Sequence, residues 1–102
     1  MTTYRLEYAQ AAREDLDRLY DFLLASDEAV AEQALEAIDS AIHAMRRHPY
    51  ICRKAANGML GRYWRELIAD FGSSGYLVLF EITDEETLTV MAVKHQRESD
   101  YH

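Results

Sequence analysis

Apolar and polar residues alternate through Tyr4-Arg5-Leu6-Glu7-Tyr8, the period of a half-covered strand. From Ala12 the pattern changes. Leu16, Leu19, Tyr20, Leu23 and Leu24 recur at helical spacing and form one stripe, while Arg13, Glu14, Asp17, Arg18 and Asp21 fall largely opposite. Ser26 and Asp27 break this first helix and offer a side-chain oxygen to cap the next. The spacing predicts a second helix from Glu28 to Arg47, with Ala31, Ala34, Leu35, Ile38, Ala41, Ile42 and Met45 on its apolar side. Its alanines permit close approach to a neighbour. Arg46 and Arg47 suit the negative end of the helix dipole, and Pro49 stops the helix at His48. So short a connection predicts an antiparallel helical hairpin.

Beyond Pro49, residues 49–61 read as irregular, with Asn57-Gly58 and Gly61 as turn signals. Tyr63 to Ile68 reads as a strand, Gly72-Ser73-Ser74-Gly75 as a turn and Tyr76 to Ile82 as a second strand. After a reversal at Asp84-Glu85-Glu86, Leu88 to Lys94 forms a third strand rich in β-branched residues. His95 to His102 is a polar tail. The predicted order is β-α-α-β-β-β. It defines a single α+β domain over residues 1–102, with the hairpin packed on one face of a small antiparallel sheet.

Length and composition agree with this. The chain has 102 residues, 49% hydrophobic and 28% charged, enough for one domain with a thin core. No apolar run is long enough for a transmembrane helix, and the start of the chain predicts no signal peptide. The single cysteine, Cys52, excludes an internal disulfide and fits a reducing cytoplasm.

Charge changes the picture more. The net charge is −7, but residues 1–45 hold ten acids against three arginines, whereas residues 46–102 hold eight of each sign. Between 46 and 65 there are six cations, Arg46, Arg47, Arg53, Lys54, Arg62 and Arg65, and no acid. The overall sign argues against indiscriminate nucleic-acid binding but leaves room for one local basic site.

Candidate chemistry is sparse. There is no Gly-rich phosphate loop, no Cys-x-x-Cys pair and no His-Glu-x-x-His helix; His43, His48, His95, His102 and Cys52 share no zinc-binding interval. No metal and no cofactor are expected. Arg53 and Lys54 could lower the Cys52 thiol, but no partner base can be named from the sequence, and a small, partly buried side chain in a loop is the better account. The acidic helix faces are most simply solvated, or else a target for a basic partner segment. Lys94, His95, Arg97 and Tyr101 leave a strand end within eight residues, grouping an imidazole, a phenol and two cations, with Arg65 as a further cation. Attack by an RNA 2′-hydroxyl needs a base, an acid and such cations. A polar tail bonded to the sheet edge is the structural alternative.

Tyr4-Arg5-Leu6, the helix from Ala11 to Phe22, His48-Pro49, Arg65-Glu66-Leu67, Gly75 to Phe80, and the close from Ala92 to Tyr101 with its basic-His-x-Arg order follow one another in a spacing that resembles, over the whole chain, the RelE/ParE family of bacterial toxins. The resemblance implies a cytoplasmic toxin of a type II toxin–antitoxin system, neutralised by a cognate antitoxin. RelE-like members cut mRNA on the ribosome; ParE-like members poison DNA gyrase without nuclease activity. The nucleases tend to be basic with an arginine on the central strand, whereas here that stretch holds Leu77 and no cation between Gly75 and Thr83. The ParE-like branch is therefore the closer fit, although His95, Arg97 and Tyr101 occupy positions where the nucleases keep working side chains. The resemblance further implies an antitoxin wrapped over the acidic hairpin at 14–39 and the basic segment at 46–65. Arg62, Trp64 and Lys94 are candidate contacts for antitoxin or target. Trp64 reads either as a buried anchor for that partner or as part of the toxin's own core.

Overall fold

The computed structural model describes residues 3–98. Strand β1 (Arg5–Tyr8) leads into helices α1 (Gln10–Leu24) and α2 (Glu28–Met45), followed by strands β2 (Arg53–Lys54), β3 (Trp64–Phe71), β4 (Ser74–Ile82) and β5 (Thr87–His95). Single 3-10 turns at Pro49–Ile51 and Ala55–Gly58 order the segment expected to be irregular. Asp27, one of the two residues expected to cap α2, accepts from the Ala29 N–H at 2.9 Å and the Val30 N–H at 3.3 Å. The helix ends at Met45 rather than Arg47, and Arg46 turns to another task. Its carbonyl accepts the Tyr4 N–H at 3.1 Å, while its Nε donates to the Tyr4 carbonyl at 2.8 Å, pinning the start of β1.

The sheet order is β1-β5-β4-β3-β2. Strands β3 to β5 pair antiparallel, as expected; β2, a two-residue strand within the segment read as irregular, adds to β3 antiparallel, and β1 lies parallel to β5. The sheet is therefore mixed. A parallel neighbour needs a long crossover, and here the rest of the chain supplies it, so local alternation could not have revealed the direction of β1.

The hairpin covers one sheet face. Ala34, Ile38, Ile42 and Met45 of α2 pack with Val78, Phe80, Leu88, Val90 and Val93 in the principal core. On the opposite face a smaller cluster joins Ala55, Leu79 and Ala92, with Trp64 and Met91 packed on it. Near the middle of β5 the register slips: Leu79 pairs with Ala92 but Phe80 with Val90, so Met91 has no counterpart. This bulge lets Val90 and Val93, three residues apart, both face the helices. The buried line of α1 is also rotated from the predicted stripe. Leu24 is exposed and Asp15 is only 4% exposed, because the Asp15 Oδ2 accepts the Val93 N–H at 2.8 Å just past the bulge.

Candidate functional site

Beyond the bulge, strand alternation resumes shifted by one. Val93 pairs with the helix-facing Val78, Lys94 with Leu77 and His95 with Tyr76. His95 therefore sits on the helix side at the end of β5, its ring edge-on to Tyr76 with centroids 5.3 Å apart. Nδ1 accepts the Arg97 N–H at 3.2 Å, so the ring proton belongs on Nε2, which lies 3.0 Å from the Ser74 Oγ. Ser74 lies in the segment read as a turn, and nothing in the sequence singled it out. In this tautomer His95 donates to the hydroxyl. That is the reverse of a base activating a serine nucleophile.

The chain then turns back toward α1. Glu98 Oε1 accepts the His95 N–H at 3.0 Å and an Arg18 N–H at 3.3 Å, and Lys94 Nζ donates to the Glu98 carbonyl at 3.0 Å. Arg18 also approaches Asp15 at 3.8 Å, linking the buried carboxylate to the tail. Burial raises the Glu98 carboxyl, but the His95 N–H and the hydrogen bond and charge of Arg18 outweigh it and hold the group below its ordinary value. Burial, reinforced by Glu98, pushes the Tyr76 phenol up. These groups rim a pocket of about 750 Å³ with an apolar floor of Leu19, Phe22, Leu23 and Phe71.

His95 is joined to Arg97 through the Arg97 backbone N–H, whereas Lys94, one position earlier on the strand, faces the other side of the sheet and reaches the Glu98 carbonyl. Tyr101 lies outside the described residues. Arg65 is elsewhere: it pairs with Phe80, two strands across and four residues along from His95, roughly 16 Å away by strand geometry. Its guanidinium donates to the carbonyls of Arg62 at 2.8 Å, Tyr50 at 3.0 Å and Cys52 at 2.9 Å. Arg65 thereby holds the 50–52 segment and residue 62 against the head of β3. Arg62 stacks on Tyr63, its carbon 4.8 Å from the ring centroid, and stays exposed. Trp64 is half-buried against Ala55, Leu79 and Ala92. Burial pushes the Cys52 thiol up, and nearby Arg65 only partly opposes this, so the thiol is held in its unreactive form. Among the described residues no group of three His, Cys, Asp or Glu could hold a metal ion, and no helix is long and apolar enough to cross a membrane.

The family described as "ParE toxin of type II toxin-antitoxin system, parDE" matches residues 6–100 of this chain. No curated protein matches it. Among solved structures, a chain of "Chromosomal ParDE TA system from P. aeruginosa" superimposes with a TM-score of 0.71. That match covers 91% of this chain and 96% of the other at 14% identity, a likeness of fold.

Proposed function

The chain belongs to the ParE toxin family, and from that membership we propose that it is the growth-inhibiting half of a type II toxin–antitoxin pair. In this reading a cognate antitoxin neutralises it in the cytoplasm, and its target is DNA gyrase. One observation beyond the family carries the choice of target. Arg65, the further cation an RNA-cleaving site would draw on, stands at the other end of the sheet from His95 and is committed to three backbone carbonyls, while His95 is engaged by Ser74 and the Arg97 N–H. Metal-free cleavage of RNA needs base, acid and cation around one phosphate. Inhibition by binding has no such requirement.

Induction of the chain alone should stop colony formation with DNA damage and filamentation, and the purified protein should impair gyrase supercoiling. Growth arrest with intact supercoiling and rapid mRNA loss would overturn the gyrase reading in favour of a ribosome-dependent endonuclease. The place of His95 on the rim of one pocket, with its ring accepting the Arg97 N–H, is what favours that second reading. It requires His95→Ala to weaken mRNA cutting, and the same would be expected of Tyr101→Phe.

A further inference from the structure

The two edges of the sheet are not alike. At one, β1 carries Arg5 and Glu7 within four residues, and charged side chains of that kind discourage a further strand from pairing. At the other, β2 covers only Arg65 and Glu66 of β3. Among the described residues nothing pairs with the outer side of the remaining stretch, Leu67-Ile68-Ala69-Asp70-Phe71. That stretch has no Lys, no Pro, no bulge and a single charge, Asp70. The two-residue turn Gly72-Ser73 makes Phe71 and Ser74 the closing hydrogen-bonded pair of the β3–β4 hairpin. Phe71, Ala69 and Leu67 therefore bond to β4, while Ile68 and Asp70 turn their N–H and C=O groups outward. Both residues are exposed, Ile68 at 41%. The layer above this edge is uncharged as well. Helix α1 packs on β5 and α2 on β3, so the flank of α2 turned away from α1 overhangs the edge. The acids Glu32, Glu36 and Asp39 line a cleft with Leu16 and Tyr20 of α1. At about 3.6 residues per turn, the opposite flank of α2 holds Val30, Gln33 and Ala37. They stand level with the open part of β3, because Ala31 and Ala34 border one small cavity with Tyr76, the partner of Ala69.

We propose that two copies of this chain pair through this edge, β3 against β3 in antiparallel sense, joining their sheets into one. A two-fold axis at Ala69 sets Ile68 opposite Asp70 of the second copy, and each outward N–H then finds a C=O across the axis. The two Ile68 side chains meet on the diagonal, within reach of a branched residue, and each α2 flank lies beside its own image. Charge selects the occupant. The protein carries a net −7, and two such molecules can approach closely only where their acids are absent. A partner chosen by its charge has nothing to recognise on this surface. The edge is also its own complement, since an antiparallel pair accepts the same strand twice. The paired stretch is short. Its buried area falls at the low end for specific interfaces, under about 1,200 Å², so the dimer should have a Kd of about 1–100 µM. The pairing concerns the protein on its own and does not rest on the toxin reading, so a failed growth or supercoiling assay would leave it standing.

The test is sedimentation velocity of the full-length protein from about 1 to 300 µM, with amide exchange of the same samples followed by NMR. Mass should rise from monomer to dimer, and exchange at the Ile68 and Asp70 amides should slow in step with the dimer fraction. Ile68→Lys on the edge and Gln33→Glu on the helix flank should each weaken dimerisation at least about fivefold. Asp70→Asn, which removes the one charge from the edge, should tighten it by about two- to fivefold. All three positions are exposed, so the melting temperatures of dilute samples should not move. A monomer at every concentration, a dimer indifferent to these substitutions, or assembly beyond a dimer would each overturn the proposal. Protection of the Ile68 and Asp70 amides at every concentration would overturn it too, because the chain's own residues would then occupy the edge. So would a dimer that leaves both amides unprotected.

Discussion

Asp15 shows how one side chain can join two layers. Its carboxylate lies in the interface between α1 and the sheet and takes the Val93 N–H. A buried backbone donor left unpaired costs about 1–3 kcal/mol. Asp15→Ala should lower stability by that amount, or by about 4–8 °C in Tm per kcal/mol for a domain near this size. Asp15→Asn keeps an acceptor oxygen and should lose distinctly less, which thermal melts of the two variants would show. Cys52 gives a second prediction at this scale. Because burial raises its pKa, its iodoacetamide reaction at pH 8 should be several-fold slower than that of glutathione, and urea should remove the difference. A thiol alkylated as fast in the folded protein as in the unfolded would contradict that environment.

At the scale of elements, the end of β5 is held to α1 by Arg18 and Glu98. A carboxyl whose folded pKa lies below its unfolded value adds stability that is present above the unfolded pKa and is lost as pH falls through the folded one. For Glu98 that loss begins near the ordinary value of 4.5 and continues below it. Glu98→Gln should therefore reduce stability at pH 7 and converge with the parent in acid, as pH-dependent denaturation would report. Arg18 is half-exposed, so Arg18→Ala should cost no more than about 1 kcal/mol. The β3–β4 pairing is less forgiving. A Cβ at Gly75 would meet the Ala69 carbonyl oxygen at 2.5 Å, and the paired backbone of β3 beside the hairpin turn has little room to yield. Gly75→Ala should destabilise by about 1–3 kcal/mol, a loss readable in the urea midpoint.

Over the whole molecule, the sheet has two covers of unequal size. The helical hairpin seals one face, and on the other Ala55 packs with Leu79, Ala92 and Trp64. Trp64 is therefore expected to serve the protein's own second cluster. Trp64→Ala should lower the Tm of the free protein, by about 2–4 kcal/mol of stability for so large a half-buried side chain. Antitoxin dissociation should change little. Unchanged stability with faster dissociation would make it an anchor for the partner instead. The two covers also divide the charge, acidic over the hairpin and basic over the segment at the head of β3. The molecule therefore offers partners two surfaces of opposite sign.

The sequence by itself determined the two helices, their hairpin, the Asp27 cap and the three long strands, because helical spacing, capping chemistry and β-branched runs are local signals. Full-length order and spacing also gave the family. The direction of β1 was not local, since it depends on a neighbour more than eighty residues away. Nor was the bulge at Met91, which no single residue announces. Yet the bulge decides the site. Uninterrupted alternation from Leu88 would have placed Lys94 among the helices and His95 on the far face; one extra residue exchanges them, putting His95 beside Tyr76 and Ser74. Arg65 and His95, grouped by residue type in the sequence, stand at opposite ends of the sheet because an antiparallel register fixes each strand position against its neighbour. Residue chemistry can be read along the chain, but its coincidence in space was set by strand pairing.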